Sequence, residues 1–145
     1  MGKLSDKARA EVSQSKGGAG RDDPRVRAAA KALLTFPNAY PEREYLVRIE
    51  CPEFTAVCPM TEQPDFGRID IEYVPGEKLI ELKALKLYLQ SYRDVGIFHE
   101  TVTNAILDDL VAVLAPRRIT VVGDYNLRGG IKTVVKAEFP HPSSR

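Results

Sequence analysis

The chain has little of what several common enzyme and binding classes are built from. Its 145 residues include two cysteines and two histidines. Neither cysteine lies in a Cys-x-x-Cys pair, and Cys51, Cys58 and His99 have no evident fourth partner. A zinc site, or any other metal site, is therefore not expected. No Gly-x-Gly-x-x-Gly opens a helix after a strand, so a dinucleotide-binding Rossmann unit is absent. A Ser-His-Asp triad has no support. Excess charge is also missing: 21 Lys and Arg against 20 Asp and Glu leave +1. No general attraction to nucleic acid or to an anionic membrane is expected from that balance. No apolar run is long enough to span a bilayer. The N-terminus shows no apolar core followed by a cleavage site, so a secretory signal is not expected. Two cysteines in such a chain argue for reduced thiols and a cytoplasmic setting.

What is present is an ordinary globular composition, 43% hydrophobic and 28% charged, at a length that suggests one domain. The densest information lies in residues 51–66, which hold both cysteines, Pro52, Pro59, Pro64 and Asp65. Proline removes a backbone donor and pushes the preceding residue out of helix geometry. The stretch therefore reads as a stiff, irregular loop carrying Cys58 and Asp65 side by side. A thiol and a carboxyl held together are the parts of a nucleophile and an acid. Taken singly, Cys58 reads as a small buried hydrophobe and Asp65 as a turn residue capping backbone donors. A disulfide between Cys51 and Cys58 remains the bland alternative.

Residues 1–24, with the Ser15 to Gly20 linker composition, read as a flexible N-terminal tail containing a short helix within 4–14. Residues 25–145 read as a single domain. Arg25 to Leu34 predicts a helix with Val26, Ala30, Leu33 and Leu34 on one side, ended by Phe36-Pro37-Asn38. Period-two alternation predicts strands at Tyr45 to Glu50 and Arg68 to Val74, and Lys78 to Glu81 reads as a short extended piece. Leu82, Leu85, Leu89 and Tyr92 recur at helical spacing, with Lys83, Lys86, Gln90 and Arg93 on another face. Gly96 is expected to cap that helix in the left-handed conformation. A second helix follows over Glu100 to Leu114, then strands at Arg118 to Tyr125 and Ile131 to Phe139. The order is strand, strand, helix, helix, strand, strand. It predicts an α+β fold: an antiparallel sheet with both helices on one face, whose edges invite assembly.

Three further groups carry possible chemistry. Glu100 opens a helix, where a carboxylate offsets the dipole, but it can also accept two parallel N–H bonds from a guanine-like edge. His99 beside it reads as a helix-entry residue. Lys83 and Lys86 make either a solvated face or a phosphate clamp, and Arg128-Gly129-Gly130 reads as a hairpin turn between the last two strands or as a guanidinium beside a backbone that a ligand can approach closely.

Together these residues resemble a known family. Cys-Pro-Glu-Phe-Thr-x-x-Cys-Pro-x-Thr-x-Gln-Pro-Asp-Phe at 51–66 is similar to the active-site loop of the NADPH-dependent 7-cyano-7-deazaguanine reductases, the nitrile reductases of queuosine biosynthesis. Glu81-Leu82-Lys83-Ala84-Leu85-Lys86-Leu87-Tyr88 resembles that family's signature. Phe98-His99-Glu100 and Arg128-Gly129-Gly130 match in order and spacing. The resemblance covers roughly residues 35 to 135. It implies the tunnelling fold, assembled into a barrel with sites between subunits, as a homo-oligomer of two stacked pentamers. It implies that Cys58 attacks the nitrile carbon to form a thioimide and that Asp65 donates the proton. It implies that Ile80, Glu81, Leu82, His99 and Glu100 line the substrate site, and that Lys83, Lys86 and Arg128 hold the phosphates of the cofactor NADPH. The substrate would be 7-cyano-7-deazaguanine, with no direct contact to nucleic acid or membrane. Rival outcomes are an amidinotransferase using ammonia, a zinc-dependent pterin cyclohydrolase and a non-catalytic binding module.

Overall fold

Alternating side chains along two long strands build the sheet. The computed structural model describes residues 18–142, so the helix expected within 4–14 lies outside the described residues. Helix α1 (Pro24–Lys31) is followed by β1 (Thr35–Pro37), β2 (Val47–Val57), β3 (Pro64–Val74) and β4 (Lys78–Ile80). Then come α2 (Leu82–Gln90), α3 (His99–Leu114), β5 (Arg118–Tyr125) and β6 (Val134–Phe139). The main sheet is antiparallel in the order β2-β3-β5-β6, and β1 pairs with β4 in a separate antiparallel ribbon.

In β3, Ile69, Ile71 and Tyr73 point inward and are 0–1% exposed. Ile119 and Val121 of β5 and Phe54 and Ala56 of β2 join them in one core. Helices α2 and α3 cover that face with Leu85, Leu89, Val102, Ile106 and Leu110. Each such side chain contributes about 1.5–3 kcal/mol when fully buried. The opposite face carries a charged lattice in which Arg68 reaches Asp70 at 2.8 Å and Glu50 at 2.9 Å. These pairs are exposed and stabilise little. Their effect is to fix which face is wet, because a one-residue slip would exchange the two faces.

The structure corrects several sequence expectations. Residues 51–66 are mostly strand, not irregular loop: β2 runs through both Cys51 and Val57, β3 starts at Pro64, and only 58–63 turn. The prolines are accommodated at special places. Pro52 stands where the β2–β3 register shifts between Cys51 and Phe54, and Pro64 is the first residue of its strand. The strand also decides the disulfide question. Both cysteines are free, and seven residues of mostly extended chain separate them by roughly 20 Å, against the under 7 Å or so that a disulfide requires.

Helix α1 begins one residue earlier than expected and ends three residues sooner. Asp23 caps it, accepting from the Arg25 N–H at 2.9 Å, with Pro24 at the first helical position. Leu34, expected to face inward, is 60% exposed, because the chain has already left the helix for β1. Leu82 is likewise 60% exposed, while Tyr88 takes the buried position. Gly96 is not a left-handed cap. Ser91 ends α2 in right-handed geometry, and Gly96 instead forms a parallel bridge with Val57 that ties the α2–α3 connection to the end of β2.

Within the stretch expected to be a tail, Arg21 pairs with Asp108. A Cβ on Gly20 would stand 2.3 Å from the Gly96 carbonyl. Residues 18–23 therefore lie against the body of the protein.

Candidate active site

The β2–β3 turn closes on itself. The Cys58 N–H donates to the Gln63 carbonyl at 2.9 Å and the Glu62 N–H donates to the Cys58 carbonyl at 2.9 Å. Glu62 takes the left-handed conformation, φ 59°, which is uncommon for a residue with a side chain. The turn holds the Cys58 thiol partly exposed and pulls its pKa below the ordinary value. Burial, the largest single influence, acts upward. The hydrogen bonds from the Thr61 hydroxyl and the Thr61 and Met60 N–H groups act downward and together outweigh it, while the Asp65 charge opposes them. A thiol supported in this way has more of the reactive thiolate at neutral pH.

Asp65 lies across the hairpin, opposite Ala56, and is 5% exposed. One carboxylate oxygen meets the Arg128 guanidinium, and the other is 3.4 Å from His99 Nε2. The latter is a close approach without hydrogen-bond alignment, because His99 Nε2 has no hydrogen-bond partner. Arg128 also donates to Gln63 Oε1 at 3.2 Å. A tight turn presents it, with the Arg128 N–H and the Ile131 N–H each donating to the other residue's carbonyl, at 3.0 and 2.9 Å. Gly129 and Gly130 have φ 55° and 78°. Two successive positive φ values are what such a hairpin turn requires and glycine supplies.

Cys58, Asp65, His99 and Arg128 thus come together at one end of the sheet, with Glu100 exposed in the first turn of α3. Ile80, Glu81, Leu82 and Lys83 do not join them. The Ile80 N–H donates to Tyr73 Oη at 3.1 Å, and Tyr73 lies eight residues along β3 from Asp65, roughly 25 Å away. Ile80 itself is a core residue, 4% exposed. The Glu81 carboxylate caps α2, accepting from the Ala84 and Lys83 N–H groups at 2.7 and 2.9 Å. Those bonds lower its pKa. Lys86 lies with Gln90 and Arg93 around a cavity of about 270 Å³ between α2 and β2. Two cations at one hollow suit a phosphorylated cofactor. Among the described residues, no group of three or more His, Cys, Asp or Glu is arranged to hold a metal.

Thr61 and Tyr125 belong to this end of the molecule and were not singled out from the sequence. Thr61 had a signal, its place three residues after Cys58 in the turn. Tyr125 had none, since it reads as one more strand aromatic.

Comparison with known proteins gives these residues a lineage. The sequence model of the QueF-like protein family matches residues 64–144. An NADPH-dependent 7-cyano-7-deazaguanine reductase from Anaeromyxobacter dehalogenans (strain 2CP-C) is 63% identical over 108 residues, covering 74% of this chain and 88% of the relative. The protein of the same name from Nitrosococcus oceani is 55% identical over 112 residues, covering 77% and 87%. Among solved structures, the apo archaeosine synthase QueF-Like superposes with a TM-score of 0.61 at 27% identity, over 64% of this chain and 91% of the other. The chain therefore belongs to the QueF-like family, with its cysteine, aspartate and histidine gathered where β2 turns into β3.

Proposed function

We propose that the protein reduces the nitrile of 7-cyano-7-deazaguanine to the aminomethyl group in queuosine biosynthesis, with NADPH as reductant. The observation that carries the reading is the Cys58 thiol, supported by the hydrogen bonds of its own turn and close enough to Asp65 to feel its charge. The names of the relatives at 55–63% identity support the same reaction. A nitrile is a poor hydride acceptor until something adds to it. The Cys58 sulfur bonds to the nitrile carbon, one C–N π bond breaks, and the nitrogen takes a proton from Asp65. The product of that step is a covalent thioimide. Bound NADPH would supply two hydrides to that carbon in turn; after the first, the carbon–sulfur bond breaks and returns the Cys58 thiolate, and with the second the Asp65–His99 pair hands the nitrogen the other proton that the amine needs.

The chain's own groups do the rest. Glu100 accepts the paired N–H groups of the deazaguanine edge. His99 stands beside Asp65 to pass it a proton. Lys83 and Lys86 are assigned to cofactor phosphates, with Arg93 facing the same hollow as Lys86. Arg128 can serve a phosphate only by leaving Asp65, so the same movement that engages cofactor also frees the acid.

Because Ile80, Glu81, Leu82 and Lys83 lie far from Cys58 in one chain, their assigned roles need a second copy. Edge strands β2 and β6 offer unpaired backbone for it. We accordingly assign the tunnelling fold, closed into a barrel of stacked pentamers with sites between subunits. The reaction is placed in the cytoplasm. No helix among the described residues is long and apolar enough to cross a membrane.

The test is direct. Without NADPH, the nitrile should add covalently to the protein by intact mass, and Cys58→Ala should show no adduct. Adding NADPH should discharge the adduct with loss of cofactor absorbance. An amidinotransferase would consume ammonia and leave NADPH untouched.

A further inference from the structure

The site contains one aromatic ring to which no role has yet been given. Tyr125, the last residue of β5, is 1% exposed. Its ring lies flat against His99, with centroids 3.9 Å apart and planes 4° from parallel. Two glycines make room for it. A Cβ on Gly67, directly across the β3–β5 ladder, would come within 2.9 Å of Tyr125 Cδ1. A Cβ on Gly123 would come within 2.5 Å of Tyr125 Oη and 2.6 Å of Thr103 Oγ1.

The hydroxyl end is fixed as well. Three short contacts join Tyr125 Oη, Thr103 Oγ1 and the His99 carbonyl, at 2.7, 2.8 and 3.2 Å. Two hydroxyl protons can serve only two of them at once. Thr103 donates to the carbonyl at 2.8 Å and Tyr125 donates to Thr103 at 2.7 Å. The 3.2 Å contact from Tyr125 to the carbonyl is the weaker alternative. Thr103 is fully buried, at 0% exposed. His99 is thus held twice, by its carbonyl through the hydroxyls and by its imidazole through the stack. Its Nε2 is left buried, with no hydrogen bond, 3.4 Å from Asp65 Oδ2.

We propose that Tyr125 is a positioning residue for proton transfer: its ring sets the plane of the His99 imidazole so that Nε2 faces Asp65. Thr103, Gly67 and Gly123 hold that ring in turn. The proposal rests on the reading of Asp65 and His99 as the proton-handling pair. A face-to-face stack resists tilting of the imidazole. A tilt moves Nε2 off Asp65 while leaving Cys58, which sits in a different turn with its own hydrogen bonds, undisturbed. A residue that merely fills the core would not separate these two effects.

The experiment compares Tyr125→Phe with Tyr125→Leu in the full-length protein, reading adduct formation without NADPH and then steady-state kcat and KM for the nitrile. The leucine variant should still form the adduct, but more slowly, because that step draws a proton from Asp65; KM should stay within about threefold of the parent and kcat should fall about 10- to 100-fold, the scale of an ångström-sized misplacement. The phenylalanine variant keeps the ring and should stay within about threefold of the parent in kcat. Should Tyr125→Leu not fold, Tyr125→Met, which also removes the ring but fills its space with an unbranched chain, is read in its place and is expected to lose kcat likewise. The proposal is overturned if removing the ring leaves kcat unchanged, if phenylalanine falls as far as leucine, or if the loss appears in KM. A parent enzyme that reduces the nitrile without ever forming an adduct overturns the Cys58 assignment instead. The Tyr125 comparison is then still decided by kcat.

Discussion

Cys58 and Thr61 show how much chemistry a six-residue turn can carry. The thiol sits where partial burial would make it less acidic, and the hydroxyl and N–H groups of the same turn reverse that tendency. Hydrogen bonds to the charged form stabilise it, so removing one raises the pKa. Thr61→Val should therefore move the midpoint of Cys58 alkylation by iodoacetamide to higher pH. At neutral pH it should slow both alkylation and adduct formation. An unmoved pH profile would show that the backbone donors of Met60 and Thr61 suffice. The same variant loses the Thr61 contact to Arg128, 3.4 Å long. That contact is at the limit of a hydrogen bond, and its loss should leave Arg128 on Asp65.

Helices α1, α2 and α3 are joined by a polar knot inside an otherwise apolar packing. Arg27 of α1 forms a two-pronged pair with Asp109 of α3, at 2.9 and 2.7 Å. Tyr88 of α2 donates to the same Asp109 and lies 2.8 Å from Tyr92 Oη. Burial dominates the shifts of both phenols, raising Tyr88 well above the ordinary value and Tyr92 to about 12. Removing one member of a buried pair leaves the other charge uncompensated, and Arg27 is about one-third exposed, which reduces the penalty. Arg27→Ala should cost about 2–3 kcal/mol in urea unfolding followed by circular dichroism at fixed protein concentration, below the range for a fully buried pair. Adduct formation on Cys58 should persist under native conditions, since the knot lies away from the β2–β3 turn. A loss below about 0.5 kcal/mol would mean that the three helices hold together by apolar packing alone.

The arrangement of the whole chain separates two sets of residues that the proposed reaction brings together. Cys58 and Asp65 stand at one end of β3, and the Glu81–Lys83 corner stands near the other. If neighbouring copies supply the two sets, Cys58→Ala and Lys83→Ala are defects of different subunits' contributions. Mixed oligomers of these two variants, formed by co-expression, should then regain activity that neither variant has alone. Random mixing in equal amounts leaves about a quarter of sites with both contributions intact. Activity no higher than the sum of the separate variants would place both residues in the same subunit's site and remove the need for a neighbour.

Local pattern made much of this protein legible. Alternation along Arg68 to Val74 located most of β3, and the helix expected over Glu100 to Leu114 is α3 within one residue. Arg128-Gly129-Gly130 announced its turn, because positive φ at two successive positions is a demand that glycine answers locally. The motif residues Cys58, Asp65, His99 and Arg128 were also visible as residue types in order. Other features depended on contacts between distant parts of the chain. The pairing of β2 with β3 turned a proline-rich stretch into a strand and parted its two cysteines. The departure of the chain into β1 exposed Leu34, and the docking of Val57 on Gly96 overrode a helix-cap preference. The pairing of Arg128 with the buried Asp65 carboxylate depended on the fold, since the two lie far apart in sequence. Periodicity and turn chemistry act over a few residues and can be read from neighbours in sequence. Which thiol, ring and carboxylate finally meet depends on strand register and packing, and those are settled only when the whole sheet closes over its helices.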